Sequence, residues 1–394
     1  MKALALALLA TAAPLAAKTV TVAPGPDAQE RLQAALIEVQ PGDTVQIAAG
    51  RYELTDGLSL DVDKVTVKGA GPDATVLSFK NQQGAGEGLL VTSDDVVLRD
   101  FGVEDTRGDG IKSKGADRIV YHNVRVEWTG GPNEKNGAYG VYPVSSTDVL
   151  VDRVTVRGAS DAGIYVGQSK NIIVRNSTAE FNVAGIEIEN SHNADVYGNT
   201  ARKNAGGILV FDLPNLPQMG GHAIRVFENQ VVENDTPNFA PKGNIVASVP
   251  TGTGVMVMAN ADVFVFGNMF ADNGNTNVML IGYKRPFTDK SYNPLLRGVV
   301  VRDNKHGRAG FAPSFPGGSE IAAAMGGSLP PIFWDGTGTG VIVKDAVPAL
   351  SLNLPSPEAS VDQAKPAPAN FPDGPVPPEP KPVVLPASME AAIK

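Results

Sequence analysis

The chain has 394 residues, a formal net charge of −9, 42% hydrophobic residues and only 19% charged ones. An acidic balance of that kind argues against nucleic acid and anionic membranes as partners. With no cysteine present, disulfide frameworks, thiolate metal sites, a lipid-attachment cysteine and Cys nucleophiles are excluded together.

Residues 1–17 read as a secretory signal peptide. Lys2 gives the charged start, Ala3 to Ala13 the apolar stretch, and Pro14 to Ala17 the small-residue end. The stretch is too short to span a bilayer, and no later run approaches the roughly 18 apolar residues a span requires. The expected location is therefore periplasmic or secreted. Residues 18–43 are expected to form an N-terminal cap, built on an amphipathic helix from Pro26 to Val39. Leu32, Ala35, Leu36 and Val39 share one face of that helix, with Asp27 near its start.

From residue 44 to 345 the chain is repetitive. A Gly-led apolar phrase recurs at Gly88, Gly110, Gly140, Gly163, Gly185 and Gly207, mostly at steps of 22 or 23 residues. A fixed period of this length, made of short β-branched strands and Gly/Asn turns, marks a stacked solenoid. In Gly185–Glu189, here strand A, Ile186 and Ile188 face inward while Glu187 and Glu189 face outward, by the two-residue alternation. Strand B is expected at Ala194–Tyr197. A polar residue recurs at the bend that follows, at Asp100, Asn123, Arg153, Asn176, Asn199, Asn229, Asn268 and Asn304. Asn tolerates the left-handed backbone of a tight corner, and its amide both donates and accepts, so this ladder is read as structural.

Three insertions widen the repeat, at Thr129–Gly137, Leu213–Gly221 and Asp235–Gly252. All three border strand A and can wall a groove over it. Residues 346–394 hold 12 of the 30 prolines and read as an extended tail that the solenoid wall can carry.

Aligning the coils gives one outward column, Leu90, Lys112, Tyr142, Tyr165, Glu187, Leu209, Met256 and Met279. A second runs Thr92, Lys114, Val144, Gly167, Glu189, Phe211 and Met258. Glu187 and Glu189 lie about 6.6–6.8 Å apart along the strand, close to the roughly 6.5–9.5 Å carboxyl spacing of inverting glycosidases. They are candidate catalytic residues, with Leu209 and Phe211 desolvating them. Lys112 is a third, placed to lower the pKa of Tyr142 or to neutralise a uronate. Tyr142 and Tyr165 offer flat faces for sugar rings. Arg107, Asp109, Asp161 and Asp212 border the same face and complete the candidate substrate-binding set. Asp161 with Glu187 and Glu189 is also a candidate calcium site. Leu209, Phe211, Met256 and Met258 are expected to lie under the proline-rich segments Leu213–Pro217 and Asn238–Pro241. His192 is read as a turn residue.

The helix, then "PGDTVQIAAGRY", "VTVKGAGPDATVL" and the Gly-Ile coils resemble the opening of pectin-lyase-like right-handed parallel β-helix proteins. "AYGVYPVSSTDVLV", "SDAGIYVGQS", "VAGIEIENS" and "GGILVFDLP" resemble a periplasmic subfamily of unassigned role. The resemblance implies an all-β, right-handed parallel β-helix of about ten coils with a helical cap and an extended tail. The outward columns point to recognition, and in one version cleavage, of a polysaccharide or oligosaccharide along the strand A groove. Two alternatives stand beside it: a non-catalytic periplasmic scaffold binding a protein partner, as in maturation factors of similar fold, and a calcium-dependent lyase or epimerase. An enzyme of this kind would be a polysaccharide lyase, an epimerase or a glycoside hydrolase. The strand A arginine of pectate lyases, the paired Asp motif of polygalacturonases and the Asp-Pro-His-Glu motif of alginate epimerases are all missing, so the resemblance carries fold and not activity.

Overall fold

The computed structural model describes residues 17–84, 86–356 and 358–394. Residues 1–16, which hold nearly all of the expected signal peptide, lie outside the described residues. Three parallel sheets of 12, 12 and 10 strands run the length of the molecule. One coil shows the pattern: Ala184–Glu189 in sheet A, His192–Tyr197 in sheet B, Thr200–Arg202 in sheet C. Each strand pairs with the strand one coil before and one coil after, as Ile186 does with Ile164 and Ile208. The expected all-β parallel β-helix is what forms.

The phase of strand A is as the alternation requires. Ile164, Val166, Ile186, Ile188, Ile208 and Val210 are fully buried in one continuous core with Ile172, Val174, Val196 and Val226 from sheet B. The cap contributes the helix Ala28–Glu38 and also a strand, Thr19–Val22, which pairs with Thr44–Ile47 and starts sheet B. Leu32, Ala35 and Leu36 cover the first coil, so the solenoid's end is blocked by apolar packing as well as by pairing.

The bend ladder proves to be two adjacent columns. Asp100, Asn123, Arg153 and Asn176 adopt positive φ at the corner, and the same column continues through Gly198, Glu228, Gly267 and Asp303. Asn199, Asn229, Asn268 and Asn304 sit one position later and point inward. The cause is the coil length: Arg175 pairs with Tyr197, a 22-residue step, whereas Asn176 to Asn199 counts 23. The inward column is a hydrogen-bonded chain. Asn199 N–H donates to Asn229 Oδ1 at 3.0 Å, and Asn229 N–H donates to Asn268 Oδ1 at 3.0 Å. A second inward chain, Asn182, Asn204, Asn234 and Asn273, lines the corner that leads into sheet A.

Sheet A continues beyond residue 345, since Ala349–Ser351 pairs with Ile332–Trp334 and Ala367–Pro368 adds an antiparallel strand. The C-terminal part of the tail lies across sheet B. Val383, Leu385 and Met389 cover Val120, Leu150 and Ile173, Arg175 holds Glu390 at 2.8 Å, and Glu379 pairs with Arg225 and Arg302.

The two Asn columns make different demands. Asn229→Gly removes four buried hydrogen bonds and is expected to destabilise by about 1–3 kcal/mol. Asn176→Gly, at an exposed corner where glycine adopts positive φ freely, is expected to cost under about 1 kcal/mol. Denaturant melts of the two variants check the ordering.

Candidate functional site

The outward columns of sheet A are aligned as expected: Lys112 opposite Leu90 and Tyr142, then Tyr165 opposite Glu187, Glu187 opposite Leu209, and Leu209 opposite Met256. They do not form a solvated stripe. Leu90, Lys112 and Tyr142 are half-buried and Thr92 and Lys114 exposed, but from Tyr165 onward the column closes. Leu209, Phe211, Met256, Met258 and Met279 form a second apolar core under Leu213, Met219, Phe239, Ala240 and Ile245. The covering segments are the second and third insertions, as expected, joined by Tyr283, Phe287 and Tyr292 and by Leu352 and Leu354 of the tail.

Two side chains hold the lid Leu213–Gly221 in place. Asn190 Nδ2 donates to the carbonyls of Leu213 and Gln218 at 2.8 and 2.9 Å, while its Oδ1 accepts from Leu213 N–H. Asp212 accepts from the backbone N–H groups of Gly220 and Gly221 at 3.1 and 2.8 Å. Asp212 is 1% exposed and does not line the cavity described below, so its place is that of a loop clamp.

Under this cover sit three carboxyl groups. Glu187 is 1% exposed, and neither of its oxygens finds a hydrogen-bond partner. Burial, reinforced by Glu189 and Asp161, pushes its pKa well above the usual range, so it is held as a neutral acid. Glu189 accepts the Tyr165 hydroxyl proton at 2.6 Å. Burial raises Glu189 to about 7, against the pull of that hydrogen bond. Asp161, 5% exposed, is also raised to about 7 by burial and then by Glu189, although Asn244 donates to it at 3.0 Å. Gly167 makes the Tyr165 bond feasible, because a Cβ there would lie 2.4 Å from the Tyr165 ring.

Asp161 and Glu189 open onto a cavity of about 380 Å³, whose walls are Tyr139, Leu213–Leu216, Asn244, Ile245, Tyr283 and Arg285. Arg285 crosses between loops, donating to the carbonyls of Gly243 and Asn244 at 3.0 and 2.8 Å.

Several expected roles change with this geometry. Tyr142 and Tyr165 meet edge to face at 87°, and Tyr139 wedges against both at 4.5 Å, so they present no stacked platform and Tyr165 is buried. Lys112 lies 4.9 Å above the Tyr142 ring and bonds Glu87 and Asp109 at 3.3 Å. Burial raises the Tyr142 pKa despite Lys112, the reverse of an activated base. Asp109 is raised by burial and is occupied by Lys112. Arg107 is exposed, with its N–H on Gln82 Oε1 and its guanidinium 3.4 Å from the Gln83 carbonyl. Glu187 does not line the cavity. Among the described residues no group of three or more His, Asp or Glu side chains is placed to hold a metal ion, so Asp161, Glu187 and Glu189 do not make the expected calcium site. His192 opens a sheet B strand and packs on His222 at 4.4 Å rather than lying in a turn.

The sequence reading missed Tyr139, Asn190, Asn244, Tyr283 and Arg285. Asn190 directly follows Glu189 and was legible as a left-handed turn residue. Tyr283 and Arg285 stand where the repeat is lost, and no periodic signal marks them.

A family model described as "Right handed beta helix region" matches residues 65–218. The chain is a right-handed β-helix. No curated protein is significantly similar to it by sequence. Among solved structures, the A-module of the mannuronan C-5 epimerase AlgE4 of Azotobacter vinelandii superposes with a TM-score of 0.57. The match covers 82% of this chain and 92% of that one at 16% identity. The AlgE6 A-module of the same organism gives 0.51, covering 82% and 95% at 16% identity. At that identity the likeness shows the β-helix fold alone.

The carboxyl trio predicts a pH signature. An acid whose folded pKa is raised binds more protons folded than unfolded, so stability falls as pH climbs from about 4 toward and beyond 7. Glu104, Asp152 and Glu180, lowered despite burial by their arginine, histidine and asparagine partners, give the opposite limb on the acid side. Glu187→Gln is neutral at every pH. It is expected to raise Tm at pH 8 by about 1–3 °C and to leave Tm at pH 4 nearly unchanged, measured by calorimetry.

Proposed function

We propose that the protein recognises an oligosaccharide at the sheet A cavity, and that Asp161 and Glu189 serve there as a proton-sharing pair. The observation that carries this reading is the cavity itself. Two carboxyls raised to about 7 line it together with Tyr139, Asn244 and the Arg285 guanidinium. A pair so coupled carries roughly one proton near neutral pH, so one member donates while the other accepts. Tyr139 and Tyr283 offer ring surface, and Asn244 and Arg285 offer polar groups that can orient a sugar. Support for sugar as the substrate class comes from the superposed A-modules, which are named for epimerising mannuronan. The reaction fitting an acid paired with a base is proton transfer at a sugar ring or its glycosidic oxygen, as in a lyase, an epimerase or a hydrolase. The basic, apolar and then small-residue start of the chain supports a periplasmic or secreted location. Among the described residues no helix is long and apolar enough to cross a membrane.

One observation favours a second reading, a non-catalytic scaffold for a protein partner. From Tyr165 to Leu350 the face that would hold a long polysaccharide is filled by the chain's own loops and tail.

The two readings separate on a glycan array and a reducing-sugar assay with the mature chain. The first predicts a bound glycan. Asp161→Asn or Glu189→Gln should then lower turnover by at least about 10²-fold with less than tenfold loss of affinity, and Arg285→Ala should weaken binding by about 1–3 kcal/mol. Absence of any glycan hit, with all three variants folded, leaves the scaffold.

A further inference from the structure

The sheet A groove changes character along its length. On the first side, Leu58–Leu60, Leu89–Val91, Ile111–Lys114 and Tyr139–Val144 form successive rungs. Their outward side chains, Ser59, Thr92 and Lys114, are exposed, with Leu90, Lys112 and Tyr142 half-exposed. Four rungs span roughly 14 Å at the usual 4.7–4.9 Å spacing. On the far side Leu209, Phe211, Met256, Met258 and Met279 are all buried. Between the two, the lid Leu213–Gly221 comes in from the corner after strand A, held by Asn190 and Asp212, and the segment around Asn244 comes in from the other edge, where it bonds Asp161. The cavity with Asp161 and Glu189 lies where the open rungs meet this barrier, and Leu213–Leu216 of the lid form part of its wall.

We propose that the groove is blind, and that its closed end takes the terminal residue of a linear glycan rather than a segment from a chain's interior. This rests on the glycan reading above and adds the substrate's topology. A ligand entering along Ser59, Leu90, Lys112 and Tyr142 meets Leu213–Leu216 and cannot continue over the apolar rungs beyond. Its last ring is thus the one presented to Asp161 and Glu189, with the remaining rings on the open rungs. An interior segment would need both directions free, and only one is.

The test uses the full mature chain with alginate, polygalacturonate and dextran, each as long polymer and as hexasaccharide. For the glycan that binds, the dissociation constant per chain end should be the same for polymer and hexamer, with one protein bound per chain. A bulky aromatic tag on the buried end of the hexamer should weaken binding at least tenfold, while the same tag on the other end should not. Leu216→Trp, which fills the cavity, should abolish binding with Tm unchanged. Many proteins on one polymer chain, at an affinity set by repeat units and indifferent to either tag, would overturn the blind groove while leaving the glycan reading intact. Failure of every polymer, hexamer and arrayed oligosaccharide to bind overturns both.

Discussion

Every feature of this molecule follows from the requirement that each coil lie in register on the one before. Parallel pairing at 4.7–4.9 Å leaves no room for a side chain to be chosen independently of its neighbours one coil away. Columns become the unit of structure: an isoleucine and valine column inside, an asparagine chain at each of two corners, and positive-φ residues at the bend. The asparagine chains show why such columns persist. An inward corner strands backbone N–H groups in a dry core, and each Asn Oδ1 accepts from the N–H of the coil before it. A column of that kind is continuous or it is costly at the break.

The same rule makes the outward face of sheet A a chemical liability or an asset, depending on what covers it. Left open, Glu187 and Glu189 would be ordinary surface carboxylates. Covered by two insertions and the tail, and flanked by Leu209 and Phe211 in the next coil, they lose water without gaining a cationic partner. Raised pKa values are the result, with Tyr165 and Asn244 as the hydrogen-bond donors to Glu189 and Asp161. The lid Leu213–Gly221 is held by main-chain bonds to the side chains of Asn190 and Asp212. Lys112 and its partners Glu87 and Asp109 stay at the open end.

What the sequence made legible was whatever repeats. Strand phase, the inward Ile186 and Ile188, the outward columns and the covering of Met256 and Met258 all follow from the two-residue alternation and the Gly-led period. The bend ladder shows the limit of counting: a 22-residue coil after Asn176 moved the asparagines from the corner to the interior, and only pairing register reveals the step. Burial of Glu187 was legible in part, since Leu209 and Phe211 were seen to desolvate it. The cavity beside it was not, because Asn244 and Arg285 come from loops whose path no period dictates. Orientation defeated the tyrosine reading for a related reason. Neighbouring tyrosines in a column can stack or meet edge to face, and here Tyr139, from the same strand as Tyr142, decides it. The second Asn chain was visible as Asn182, Asn204, Asn234 and Asn273, but its steps of 22, 30 and 39 residues make sense only once the insertions are placed.

The account turns on three carboxyl groups whose ionisation is pushed above the ordinary range by a cover made of the chain's own loops. Carboxyl-carbon NMR of protein labelled at aspartate and glutamate, titrated from acid to alkaline pH, reads their ionisation directly. Asp161 and Glu189 should titrate together near pH 7, with Glu187 still protonated after both have ionised. If all three resonances instead shift in the ordinary carboxylate range near pH 4, the face is open to water, and the buried acid pair on which the proposed chemistry depends does not exist.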